Sequence, residues 1–266
     1  MVAPLAPGTL LQLMYLRERL SEFPVGRFVE IGPGTGEITG LLLGAGWTGK
    51  AYDLEPITIG ALNKRFAKEV GRGELAVSNE NYMFAQTGSD VDLIISSMVM
   101  EHMDDSDQLN FMTKAAHELR VGGRMIGLVP ASPRHWGIED EIAGHCRRYT
   151  RSTLSALIAN AGWKLLHIAG LTFPISNTLL PISNFLVQRK EAGKLAMSPL
   201  ERTKQSGCRR VPFKTNFPPI LGFILNPFVL APFHALQKLS LKSESALVLY
   251  FEAEPNPVVS SDNGRR

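Results

Sequence analysis

The segment that most constrains this chain is Val29-Glu30-Ile31-Gly32-Pro33-Gly34-Thr35-Gly36-Glu37, where a short apolar run meets three glycines and then a helical pattern. Glycine tolerates left-handed dihedrals and lets a ligand approach the backbone closely. Such a turn predicts a ligand-binding loop between a first β-strand and the helix after it. The dinucleotide fingerprint G-x-G-x-x-G has its last glycine where this chain has Glu37. A carboxylate there repels a pyrophosphate. The spacing therefore points to a nucleoside ligand without phosphates and disfavours a nicotinamide dehydrogenase.

The rest of the chain supplies the alternation that such a loop requires. Helices are expected over residues 10–20 (Thr9 as N-cap), 37–43, 57–70, 106–119 (ended by Gly122-Gly123) and 150–161 (capped by Thr150). Strands are expected over 28–31, 50–53, 74–77, 91–95, 124–129 and 163–168. Strands alternating with helices mean a parallel sheet covered on both faces. A last strand, 246–253, follows only after roughly 75 residues, too long for a plain loop. The predicted fold class is α/β: a Rossmann-like doubly wound sheet of seven strands with a long helical insertion before the last strand. Ligands in such sheets sit beyond the carboxyl ends of the strands. Asp53 ends the second strand, where its carboxylate can accept from both hydroxyls of a ribose.

Composition narrows the function classes. Hydrophobic residues make up 44% and charged residues 20%, enough to bury a core. Two separated cysteines, Cys146 and Cys208, exclude a disulfide scaffold and a cysteine-built zinc site, and no metal is expected. A net charge of +3 gives no reason to expect nucleic acid. The first twenty residues lack the basic start and cleavage site of a signal peptide, so the cytoplasm is the expected compartment. The charge is uneven, however. Residues 187–214 hold eight basic and two acidic residues, a surplus of +6. A charge-free stretch follows, and its residues 217–236 read FPPILGFILNPFVLAPFHAL. That length could span a bilayer, but Pro218, Pro219, Pro227 and Pro232 would break a straight helix. Short apolar helices covering the site, packing at a dimer interface or lying in a membrane surface are the expected alternatives.

FVEIGPGTGEIT and AYDLEP resemble the first and second motifs of the class I S-adenosylmethionine-dependent methyltransferases. VDLIISSMVMEHM is similar to the fourth-strand motif of their small-molecule branch, and ELRVGGRMIGLVP to the helix–Gly-Gly–strand after it. GHCRRYTRSTLSALIANAGW resembles a segment of bacterial methyltransferases that act on small molecules, lipids or glycans. The resemblance runs from about Leu10 to Ile168 and weakens after Phe173. It implies a domain of residues 1–169 that binds S-adenosylmethionine and releases S-adenosylhomocysteine. Residues 170–245 would form the apolar and basic insertion, 246–254 the last core strand and 255–266 a disordered tail.

Carried over by position, Glu30 would help hold the methionine amino group through a polar network. Gly32, Gly34 and Gly36 would line the methionine and ribose, Asp53 the ribose hydroxyls and Leu54 the adenine face. Asn79 and Glu80 both stand where the adenine amino group is contacted. Ser96 and His102 would flank the methionine end and the methyl group. The sulfonium donor is already activated, so the protein chiefly supplies proximity and alignment. Candidate bases or acceptor-orienting groups are Glu101 and His102 at one strand end and His135, Asp140, Glu141, His145, Arg147, Arg148 and Tyr149 in the loop after the fifth strand, with Arg148 expected to pin that loop through Asp140 or Glu141. Ser96-Ser97-Met98-Val99 stands where Asn-Pro-Pro-Tyr is expected for methylation of an exocyclic base amine. The expected activity is methyl transfer to oxygen or carbon of a small, partly apolar molecule. The alternatives are a lipid or lipid-linked acceptor at a membrane surface, and a donor-binding regulatory protein without turnover. The insertion is the expected route to a homodimer or to peripheral membrane contact.

Overall fold

The computed structural model describes residues 4–86, 88, 90–191, 193, 197, 211–212 and 217–256. The strands are β1 (Arg27–Ile31), β2 (Thr48–Tyr52), β3 (Leu75–Ser78), β4 (Val91–Ser97), β5 (Leu119–Pro130), β6 (Trp163–Leu171) and β7 (Val248–Pro255). The helices are α1 (Pro7–Leu20), α2 (Glu37–Gly44), α3 (Pro56–Arg65), α4 (Ala67–Gly71), α5 (Asp105–Glu118), α6 (Ile138–Ala143), α7 (Arg151–Asn160), α8 (Ile175–Glu191) and α9 (Pro227–Leu239).

The strands form one sheet in the order β3-β2-β1-β4-β5-β7-β6. The expectation of a parallel sheet fails at β7, which runs antiparallel to both neighbours. Its first residue, Val248, pairs with Pro130 on one side and Leu171 on the other. Both partners end their strands. The insertion therefore leaves and re-enters the sheet at its carboxyl edge, and the returning strand can only run back down. This connectivity puts the insertion over the ligand edge.

Neighbouring residues of the central strands serve opposite faces, as a period of two requires. Ile94, Met125 and Phe251 pack with Phe111 of α5 and Leu154 of α7. Ile95, Ile126 and Tyr250 pack with Leu16 of α1 and Leu42 of α2. Fully burying a side chain such as Phe251 contributes roughly 1.5–3 kcal/mol. On the α1 face, Arg19 clasps the buried Glu252 of β7 with Nε and Nη2 at 2.6 and 3.0 Å, and Tyr250 donates to the same carboxylate.

Several local expectations change for physical reasons. α1 begins at Pro7, preorganised for a first turn, so Thr9 lies inside the helix and is not its cap. The helix expected over 57–70 breaks at Phe66, whose ring turns in against the glycine loop. Gly122-Gly123 do not end a helix but lie inside β5, where the pairing with β4 shifts register. α8 and α9 each contain an internal proline, Pro181 and Pro232. α9 is tied to the body by Gln237, which accepts from Thr172 N at 2.6 Å and donates to Leu11 O.

Among the described residues, no helix is long and apolar enough to cross a membrane. Of the basic stretch, Lys194, Arg202, Lys204, Arg209, Arg210 and Lys214 lie outside the described residues, as do Cys208 and residues 257–266 of the tail.

Candidate active site

A cavity of about 1240 Å³ opens at the carboxyl edge of the sheet. Its first wall is the glycine loop. Gly32, Gly34 and Gly36 all adopt positive φ, at 73°, 52° and 82°. A Cβ on Gly32 would meet Val99 Cγ2 at 2.5 Å, and one on Gly36 would meet Leu62 at 2.6 Å. Gly32 and Gly34 line the cavity, whereas Gly36 turns under the loop to begin α2. Glu37 is gripped by both terminal nitrogens of Arg65, which also donates to Thr35 O and so ties the loop to α3.

Glu30 does not reach the cavity surface. It lies beneath the loop, fully buried, accepting from Thr39 Oγ1 at 2.6 Å. Burial pushes its carboxyl up to about 7 despite that bond. Asp53 and Leu54 line the cavity beside the loop. Asp53 Oδ1 accepts from Glu55 N at 2.8 Å, and the backbone of Gly34 and Leu54 also donates to the carboxylate. Burial raises its pKa, against those bonds. Asp53 is not the cap of α3, because Glu55 holds that position.

Beyond β3, Glu80 lines the cavity, but Asn79 turns its amide onto Asp53 O at 3.0 Å and supports the strand end. Asn81 and Met83, absent from the expected set, line the cavity instead. At β4 the strand alternation sends Ser96 inward, buried, and brings Ser97 to the cavity. Met98 follows with φ 54° and also lines it. Ser132 after β5 and Thr172 after β6 share this left-handed backbone. Such conformations cost about 1–3 kcal/mol each; these three follow the ends of their strands at the carboxyl edge, whereas Asp90, with φ 89°, precedes β4.

The polar end holds His102 and His145, whose rings meet edge to face at 4.9 Å. His145 Nδ1 lies 2.9 Å from Asp140 Oδ1, which also accepts from Arg148 Nε at 2.8 Å. Burial alone would raise the Asp140 pKa, but these two donors hold it below the usual range. The ionised carboxylate only accepts, so His145 carries its proton on Nδ1. His102 Nδ1 faces Gly144 O at 3.2 Å, and burial with the neighbouring His145 lowers its pKa to about 4. Glu101 and Tyr149 do not line the cavity. Glu101 is fully buried behind the histidines, and burial pushes its carboxyl up to about 7. Tyr149 donates to Met100 O at 3.2 Å, and burial raises its phenol far above neutrality, which removes it as a base.

The third wall is apolar. Leu179, Leu180 and Leu186 of α8 and Leu221, Ile224 and Leu225 after residue 217 line it. The spacing of Ser176, Leu179, Leu180, Ser183 and Leu186 is helical and was the available signal for α8.

A family model described as a methyltransferase domain matches residues 10–168. Uncharacterized methyltransferases of Bacillus thuringiensis (strain Al Hakam) and Bacillus anthracis (strain A0248) are 28% identical over 101 residues, 38% of this chain and 45% of each relative. The match thus spans less than half the length of those relatives. The magnesium protoporphyrin IX methyltransferase of Synechocystis PCC 6803, solved with bound S-adenosylhomocysteine, superposes with a TM-score of 0.52 at 14% identity, over 62% of this chain and 77% of that one. An S-adenosylmethionine-dependent methyltransferase of Clostridium acetobutylicum gives 0.50 at 11% identity, over 62% and 84%. At those identities the likeness is one of fold. The family match covers more than half of the sequence, and this chain belongs to the class I methyltransferase family.

Proposed function

We propose that the chain transfers a methyl group from S-adenosylmethionine to an oxygen or carbon of a small, partly apolar molecule. The observation that carries this reading is the shared cavity in which the glycine loop and Asp53 face apolar side chains of the insertion, with two histidines at one end. The donor would lie along Gly32, Gly34 and Asp53, with Leu54 against its base and Ser97 and Met98 near its methionine end. Glu30 would act from beneath the loop. In the reaction the bond from sulfur to methyl breaks as a new oxygen–methyl or carbon–methyl bond forms. The sulfonium becomes a neutral thioether, and the acceptor's proton leaves to water or to a base. The polar end, His102 and His145, would receive the reacting part of the acceptor, and α8 its apolar part.

A second reading, a lipid or lipid-linked acceptor at a membrane surface, is favoured by the exposed apolar side chains of the insertion. Ile220, Phe223 and Phe228 are 72%, 83% and 90% exposed close to the apolar wall. The test uses S-adenosylmethionine labelled on its methyl group, incubated with the purified protein and a cell extract. Label in an organic phase supports an apolar or lipid acceptor. Label confined to water-soluble molecules removes α8 as an acceptor wall. Donor binding without any labelled product or S-adenosylhomocysteine release would leave a binding protein without turnover.

A further inference from the structure

One ligand atom from each of Glu101, His102 and His145 lies within 4.8 Å of the other two. Glu101 has no exposed surface, yet its carboxylate meets no hydrogen-bond donor on any other residue, only its own backbone N–H. Leaving such a group unpaired costs about 1–3 kcal/mol or more if it is charged. His145 Nε2 stands 3.7 Å from Oε1, beyond hydrogen-bond range.

Both imidazoles are oriented from behind. Asp140 Oδ1 takes the Nδ1 proton of His145, and Gly144 O takes that of His102. Partners that only accept leave the lone pair of each neutral ring on Nε2. A carboxylate or carbonyl behind the ring is the usual outer support of a metal-ligating histidine.

We propose that Glu101, His102 and His145 bind one divalent first-row transition cation. Two imidazoles and one carboxylate suit zinc, iron or cobalt better than magnesium or calcium, which favour all-oxygen sets. Bonds of about 2.0–2.2 Å set the ligand atoms roughly 3–3.5 Å apart, so side-chain shifts of about 1 Å close the site. The ion would supply the partner that Glu101 lacks. Three protein ligands leave positions open, and both histidines line the cavity, so those positions face it. On the methyl-transfer reading above, an oxygen of the acceptor would fill one of them. The site itself does not depend on that reading.

The full chain, cleared with a chelator and dialysed, is titrated with Zn²⁺ by calorimetry and with Co²⁺ by visible absorption. The expected result is one saturable equivalent, weakened at least about tenfold by Glu101→Gln and by His145→Gln. His135→Gln, outside the cluster, leaves it unchanged. S-adenosylhomocysteine affinity in the same samples reports folding and reads the donor wall separately. Donor binding without metal binding overturns only the metal site, and the reverse overturns only the donor reading. If the variants fail to fold, wild-type protein still decides the matter. Zn²⁺ should slow carbethoxylation of His102 and His145, mapped by mass spectrometry. No saturation by about 1 mM Zn²⁺, affinities unmoved by the variants, or unprotected histidines overturn the proposal.

Discussion

The two sides of the cavity are built differently. The wall proposed to hold the donor, the donor wall, comes mainly from residues 30–54, and its shape lies in backbone conformation and one carboxylate. The opposite side joins α1, the loop around α6, α8 and the turn after residue 217, segments far apart in the chain. The contrast is sharpest in two glutamates. Glu30 and Glu101 are both fully buried, and burial pushes both up to about 7. Glu30 accepts from Thr39 through one oxygen and leaves the other without a partner, while neither oxygen of Glu101 meets a donor on another residue. The first wall is not fully satisfied either, since Glu30 Oε1 and the Tyr52 hydroxyl are buried without a partner. The other side adds an unpartnered Glu101 carboxylate and an apolar surface to cover, the parts that the proposed acceptor would meet.

The comparison breaks most easily at Asp53. If its carboxylate takes two ribose hydroxyls, removing charged hydrogen bonds worth about 1.5–3 kcal/mol each should cost at least about 100-fold in donor affinity. Calorimetry of S-adenosylhomocysteine binding to Asp53→Ala measures this. Unchanged affinity would remove Asp53 from the ribose site and leave it as the anchor of Glu55 and the loop.

The next effect belongs to the other side and should leave the donor alone. Leu180→Asn and Leu186→Asn put amides on the apolar wall. Losing the cover of one leucine side chain is worth about 1.5 kcal/mol, so KM for an apolar acceptor should rise about tenfold. The donor dissociation constant should move less than about twofold. A matching loss of donor affinity would mean that the two sides do not act separately.

This difference also explains what the sequence could tell. The glycine loop was legible because three positive φ angles leave little choice but glycine, and Asp53 because a strand end fixes its place. At the end of β4 the residue type fits Ser96 and Ser97 equally, and only the facing of the strand decides between them. Glu101, His102 and His145 were each visible as chemistry. Their meeting was not, since His102 and His145 are 43 positions apart and α5, β5 and α6 lie between them. The antiparallel β7 was hidden for the same reason. Its direction follows from where the insertion leaves the sheet, not from any pattern within the strand.

Glu30→Gln should have the smallest effect on the donor, less than about threefold, because the amide can still accept from Thr39. Its signature lies in stability against pH. The folded-state pKa of Glu30 is about 7, raised from an ordinary 4.5 by burial. Between those values the native state holds a proton that the unfolded state has lost. This group's contribution to stability therefore falls as pH rises through that window and levels off above it. The amide of the variant has no such proton to lose, so Glu30→Gln should gain on the wild type as pH rises from about 5 to about 8. A gain of about 1 kcal/mol would separate the two melting temperatures by roughly 2–4 °C. Thermal unfolding of both proteins across that range measures it. Parallel curves would mean that Glu30 ionises freely in the fold, and that the donor wall is wetter beneath its loop than its burial implies.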